Sequence, residues 1–181
     1  MKKMLRALLM AVMTICFCVP AFGSAEAATV ALLPLVNNVQ DDLANQIFYK
    51  EAMAKLNSQK GFVLVENDTL SAAIADVHGA MGLPTENALK HIAEAGKVDI
   101  VIAMELNKLD SKVRRSKEEN KVFLDLKAKA VAYNAITGVY YAREISPSVW
   151  TPEATTARWD WEHEQFGRAV RQEIERILKA K

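Results

Sequence analysis

After Cys18 the chain contains no cysteine, and Cys16 and Cys18 are the only two in its 181 residues. Both fall in an N-terminal stretch that reads as a leader, so the remainder is left without disulfides, thiol nucleophiles or cysteine-ligated zinc. An excess of one charge is also lacking. Lysine and arginine number 23 against 22 aspartate and glutamate, and a domain with so little basic surplus is a poor nucleic-acid binder. No G-x-S-x-G elbow, phosphate-cradling G-x-x-x-x-G-K-[ST], G-x-G-x-x-G turn or H-E-x-x-H pair occurs, which removes the common hydrolase, nucleotide and zinc-protease signatures. Absent too is a membrane-spanning run. The apolar stretch Ala7–Phe22 covers 16 residues and contains Pro20, short of the roughly 18 to 20 that a bilayer requires.

That stretch follows Lys2, Lys3 and Arg6 and precedes small residues at Ala25 and Ala27. The arrangement predicts a Sec-type signal peptide over residues 1–27, with cleavage after Ala27. Neither cysteine is preceded by a small-residue lipobox, so an exported chain without a lipid anchor is expected, periplasmic or extracellular. Residues 28–181 then number 154, with 20 basic against 21 acidic side chains. A chain of this length buries roughly 70% of its unfolded surface without needing a metal or disulfide, and it reads as a single domain.

Hydrophobic periodicity sets out the elements. Thr29–Leu35 is nearly continuous in apolar residues and predicts a buried strand. From Asp41 the spacing of Ala44, Ile47, Phe48, Ala52 and Leu56 predicts a helix closed by Gly61. Phe62–Val65 reads as a strand, and Asn67 or Asp68 caps a short helix carrying Leu70, Ala73, Ile74 and Val77. Thr85 caps a further helix that Gly96 ends, and Asp99–Met104 is a third strand. Leu124, Leu126, Ala128, Ala130 and Ala132 alternate with Asp125, Lys127 and Lys129, predicting a strand with one wet face. Asn134–Gly138 supplies a turn into a hairpin strand over Val139–Ile145. A last helix is expected from near Glu153 almost to the C-terminus, with Trp159, His163, Phe166, Val170, Ile174 and Ile177 on its apolar stripe. The order β-α-β-α-α-β-β-β-α predicts an α/β layer sandwich around a mixed sheet of about five strands.

Several of these segments resemble the bacterial envelope α/β domain shared by the TolB N-terminal region, the curli secretion protein CsgG and the lipoprotein LpoB. Val30–Asn38 is similar to the family's opening strand, Phe62–Leu70 to its second strand and turn, Ala88–Ile102 to its helix and third strand, and Tyr133–Gly138 to its hairpin turn. The resemblance implies an envelope protein that acts by binding other proteins, and it transfers no catalytic residue. Ala103 and Met104 stand where the family usually has a small glycine, and the propeller, lipobox and membrane-inserting hairpins of individual members have no counterpart here.

Asp160, His163 and Glu164 stand at i, i+3 and i+4, a spacing open to a metal. The plainer reading, a core-edge imidazole flanked by solvated carboxylates, is preferred because His163 shares the apolar stripe. His78 and His91 have no ligand spacing, and the sequon Asn67-Asp68-Thr69 carries no weight in a bacterial chain. Between Lys108 and Lys121 six basic residues, Arg114 and Arg115 among them, face three acidic ones. They predict a solvated hairpin tip or a contact for an anionic partner. Trp159 and Trp161 are roughly 200° apart on a helix and cannot both face the core. Trp161, grouped with Gln165, Arg168 and Gln172, is expected to be exposed and to mark an interface, unless its ring lies flat on its neighbours. The lysine face of the alternating strand suits a soluble sheet rather than one strand of a multi-chain barrel, and it offers room for docking.

The signal-peptide pattern together with the family resemblance implies an exported, non-catalytic interaction domain of the cell envelope, expected without cofactor or metal. Trp161, Arg168, Arg114, Arg115, Lys127 and Lys129 are its candidate contacts with an envelope protein or a second copy, and nucleic acid is not expected as a partner. The alternatives are a small envelope hydrolase built on dispersed carboxylates or a metal, and a small-ligand-binding domain.

Overall fold

The computed structural model describes residues 27–65, 70–71, 74, 82–115, 119–153 and 160–180. Residues 1–26 of the expected leader, His78, Trp159, the sequon and the expected cap at Asn67 or Asp68 lie outside them. Strands β1 (Ala28–Leu32) and β2 (Val36–Asn37) precede helix α1 (Asp42–Ser58), β3 (Phe62–Val65) and helix α2 (Glu86–Gly96). Then come β4 (Ile100–Arg114), β5 (Lys121–Asn134), β6 (Val139–Ile145), β7 (Trp150–Pro152) and helix α3 (Trp161–Lys179). The strands form one seven-stranded mixed sheet whose main path is β3-β1-β4-β5-β6. Strand β1 is parallel to β3 and β4, whereas β4, β5 and β6 run antiparallel and β7 pairs with the start of β5. Two strands beyond the expected core set, β2 and β7, are too short for periodicity to reveal.

The starts of α1 and α2 follow their caps, whereas Asp160 at the start of α3 makes no side-chain cap bond. The Asp41 carboxylate accepts from Leu43 N at 2.9 Å and Ala44 N at 3.3 Å, opening α1. Thr85 Oγ1 accepts from Ala88 N, opening α2 as its sequence position requires. The end of α2 differs from expectation. Lys97, not Gly96, takes the left-handed conformation, with φ +51°. Gly96 is instead a point of close approach, since a Cβ there would lie 2.1 Å from Leu70 Cδ2. The β5–β6 turn is as expected: Asn134 Oδ1 accepts from Ile136 N and Thr137 N, and Gly138 has φ +70°.

On one sheet face α1 and α3 bury Phe48, Phe166, Val170 and Ile174 against Ile102, Met104, Leu106 and the even-numbered side chains of β5. The opposite face was expected to be wet, and over half its length it is not. Val131 and Tyr133 share the parity of Lys127 and Lys129, yet both are buried with Val101 and Ala103 beneath Leu70, Leu89 and Ile92. Helices thus cover both faces of the parallel half, as in other α/β sheets. Beyond Ala103 and Val131 the second face is bare of helix among the described residues.

A register shift between Leu106 and Lys108 governs this bare region. Before it, even-numbered β4 residues face α1 and α3; after it, the odd-numbered Leu109 and Ser111 do, which keeps Lys108, Asp110 and Lys112 on the bare face.

Helix α3 begins at Trp161 rather than near Glu153, and β7 occupies part of the preceding segment. Its packing on α1 is close: a Cβ on Gly167 would come within 3.1 Å of Glu51 Cγ. The pairs Lys55–Glu175 at 2.7 Å and Arg171–Glu51 at 3.1 Å join the two helices along their outer side.

Candidate interaction face

The sheet face left bare carries a ladder of charge from β4 and β5. Cross-strand register places Lys108 opposite Lys127 and Asp110 opposite Asp125, both like-charge pairs that alone would destabilise the sheet. Asp125 resolves the conflict diagonally, its Oδ2 lying 2.6 Å from Lys108 Nζ and 2.8 Å from Lys112 Nζ. Hydrogen bonds from the two ammonium groups hold the Asp125 carboxyl at about 2, and the Lys112 ammonium is raised in return. Lys127 and Lys129 are exposed and make no ion pair with any described residue, although Lys129 stands in register between Glu105 and Glu144. Among the described residues these two lysines project from β5 without an ion-pair partner.

Farther along the hairpin an aromatic pair replaces the charges. Phe123 and Trp150 face each other across β5 and β7 with ring centroids 4.7 Å apart. Trp150 borders two hollows: one lined by Arg114, Glu119 and Lys121, the other by Val149, Thr151, Trp161, Glu164, Gln165 and Arg168. Arg114, Trp161 and Arg168 are thus gathered around a residue that sequence analysis passed over. Its signal was present in Trp150 two residues before Pro152, since proline in a strand-like run marks an edge.

The expectation for Trp161 is corrected. It is only 7% exposed and belongs to the core beneath α3. Helical angle alone puts its ring away from the sheet, but Trp161 is the first residue of α3 and its ring is taken into the core cluster, beside the hollow it lines with Val149–Thr151. Arg168 is exposed and holds Glu164 at 2.6 Å, one turn away. Arg114 and Arg115 are exposed at the end of β4 and make no ion pair with any described residue.

Asp160, His163 and Glu164 are not brought together as ligands. His163 Nε2 lies 2.6 Å from Asp41 Oδ2, across the α1–α3 contact, and its Nδ1 is buried without a hydrogen bond among the described residues. Glu164 is taken by Arg168. Among the described residues, no group of three His, Cys, Asp or Glu side chains is placed to hold a metal ion.

Burial by itself raises the Asp41 carboxyl, but bonds from His163, Ala44 and Leu43 bring it below the ordinary aspartate range. Glu175, held by Lys179 and Lys55, sits at about 2 like Asp125. A carboxyl whose folded pKa is depressed contributes stability above its unfolded pKa and loses it as pH falls through the folded value. The melting temperature is therefore expected to hold near neutrality and to fall between roughly pH 5 and 2. Thermal melts across that range check this, and Asp125→Asn should shallow the fall. A melting temperature flat to pH 2 in the unaltered protein contradicts the ion-pair geometry.

The chain matches no protein-family model and no curated protein. Among solved structures, the hypothetical protein CT253 from Chlamydia trachomatis is similar over 85% of this chain and 99% of its own, with TM-score 0.53 and 12% identity. Lipoprotein GNA1162 from Neisseria meningitidis is similar over 80% and 96%, with TM-score 0.45 and 14% identity. The LpoB C-terminal domain from Salmonella enterica is similar over 75% and 91%, with TM-score 0.40 and 12% identity. The last two are looser likenesses and carry no argument. At 12% identity the likeness to the chlamydial protein is one of fold alone.

Proposed function

We propose that the chain is an exported, non-catalytic protein-interaction domain of the bacterial cell envelope, docking a protein partner or a second copy through the bare half of its sheet. The observation that carries this reading is the β4–β5 face itself. It is uncovered by any described helix, and it presents Lys127 and Lys129 without an ion-pair partner among the described residues, beside Lys108 and Lys112, which are both held by Asp125. A surface of this kind selects a partner by charge complementarity and fixes its register. Support for the compartment comes from the signal-peptide pattern of residues 1–27 and from the resemblance of four segments to the envelope α/β domain. Arg168 extends the proposed contact around the edge at β7, and Trp150 takes the place first assigned to Trp161.

A photo-crosslinking amino acid placed at Lys127 or Lys129 is expected to trap a discrete protein species in intact cells, while the same group at Lys50 or Lys90, exposed on α1 and α2, traps none. Equal trapping at all four positions, or trapping only on the helices, rejects the sheet face as the interface.

A further inference from the structure

We propose that the distal end of the β4–β5 hairpin is a contact for an anionic phospholipid surface. Pairing of β2 with β4 ends at Leu106, and beyond it β4 has only β5 as a strand partner among the described residues. At its end two apolar side chains are left in solvent, Val113 at 49% and Trp150 at 47% exposure. They stand on opposite faces of the ribbon: Val113 is paired with Val122, which points into the core, whereas Trp150 lies against Phe123 on the bare face.

Cations surround them. Arg114, Lys121 and the carboxylate of Glu119 border the hollow beside Trp150, Arg115 follows β4 in solvent, and Glu153 accepts from Asn120 nearby, which leaves three described cations against two carboxylates. Neither arginine has an ion-pair partner among the described residues, and Lys121 has Glu119 at 3.8 Å. The nearby Asp125 is already committed to two lysines.

An acidic peptide or an added strand would engage one face of such a ribbon and leave the other apolar residue wet. A lipid surface met end-on reaches both faces at once. The indole then sits at headgroup depth and the guanidinium groups reach phosphate, while the unpaired positive charge favours anionic over zwitterionic lipid. The inference shares Trp150 with the adaptor reading but does not rest on it, since it needs no protein partner and leaves the Lys127 and Lys129 face aside.

The test uses protein recovered from its own cells, mixed with vesicles of phosphatidylglycerol and phosphatidylethanolamine or of phosphatidylcholine alone, and separated by flotation. Binding is expected to the anionic vesicles only and to weaken with added salt. Arg114→Glu with Arg115→Glu should lower it at least tenfold, and Trp150→Ala several-fold, while Lys50→Glu on α1 leaves it unchanged. Brominated lipid should quench the Trp150 emission, read as the difference from a Trp150→Phe variant. The proposal is overturned if the tip variants float as the unaltered protein does, or if both vesicle types bind equally. Soluble polyglutamate displacing the protein at equal charge also overturns it, and identifies an acidic polypeptide as the occupant.

Discussion

Replacing Trp161 with alanine is expected to lower stability by about 3–5 kcal/mol, the range for removing a large aromatic side chain from a core. The physical cause is its position. Trp161 is 7% exposed, opens α3, and packs in the core beneath that helix, beside the hollow it lines with Val149–Thr151. Nothing is placed to collapse into the vacancy, because β7 is held in register by three pairs to β5 and α3 is tied to α1 by His163 and Arg171. For a chain of this size the loss corresponds to a fall in melting temperature of roughly 10 °C. Trp150→Ala removes an exposed ring from the same hollow and is expected to move the melting temperature by no more than a few degrees. Differential scanning calorimetry on both variants checks the contrast. A Trp161→Ala protein that melts with the unaltered one would return that ring to the surface and refute the packing described for α3.

The second large effect concerns Glu173, a fully buried carboxylate on the apolar side of α3. Its Oε1 accepts the Tyr141 hydroxyl at 2.5 Å and its Oε2 accepts from Arg176 at 3.0 Å, with Arg143 at 3.9 Å. Burial, and then the bond to Glu173, raise the Tyr141 hydroxyl above the ordinary tyrosine range. Glu173→Ala removes the shared acceptor and leaves a void, at a cost of about 2–3 kcal/mol. The value stays at the low end for a broken buried pair because both arginines are 46% exposed and regain water. Glu173→Leu fills the volume without burying a charge and should fall within about 1 kcal/mol of the unaltered protein. Chemical denaturation measures all three proteins. Equal losses for alanine and leucine would mean that the hydrogen bonds, and not the packing, dominate at this site.

Where the sequence was legible, one physical signal acted alone. Phe62–Val65 and Val139–Ile145 match their expected bounds because turn chemistry brackets each of them. Helix α2 begins where its threonine cap puts it, and the alternation from Leu124 to Ala132 emerges with the core side as read and with Lys127 and Lys129 exposed on the other. Where two signals overlap, the reading fails. Strand β4 was expected to stop at Met104 because its bulge switches the parity of the core-facing residues, so the run through Arg114 has no constant period. Val131 and Tyr133 share the parity of the lysines, and only the packing of Leu89 and Ile92 shows that they are covered.

Glu173 lies at an angle that belongs to the apolar stripe, but its charge hides this until Tyr141 and Arg176 are seen to satisfy it. Gly96 reads as a helix stop and proves to be a contact with Leu70, a long-range feature that no local pattern encodes. The candidate site divides the same way. Lys127, Lys129, Arg114, Arg115 and Arg168 were found on the surface from charge and alternation. Trp150 required β7, and Trp161 required knowing that the core cluster takes up the ring at the first turn of α3.

The central claim is that the bare half of the sheet, rather than a helical face, meets the partner. It is tested most directly by combining Lys127→Glu and Lys129→Glu in one chain and repeating the in-cell photo-crosslink from an adjacent exposed position, Glu144 on β6. Loss of the trapped species with an unchanged melting temperature is the predicted result. Undiminished trapping in the charge-reversed protein would contradict it.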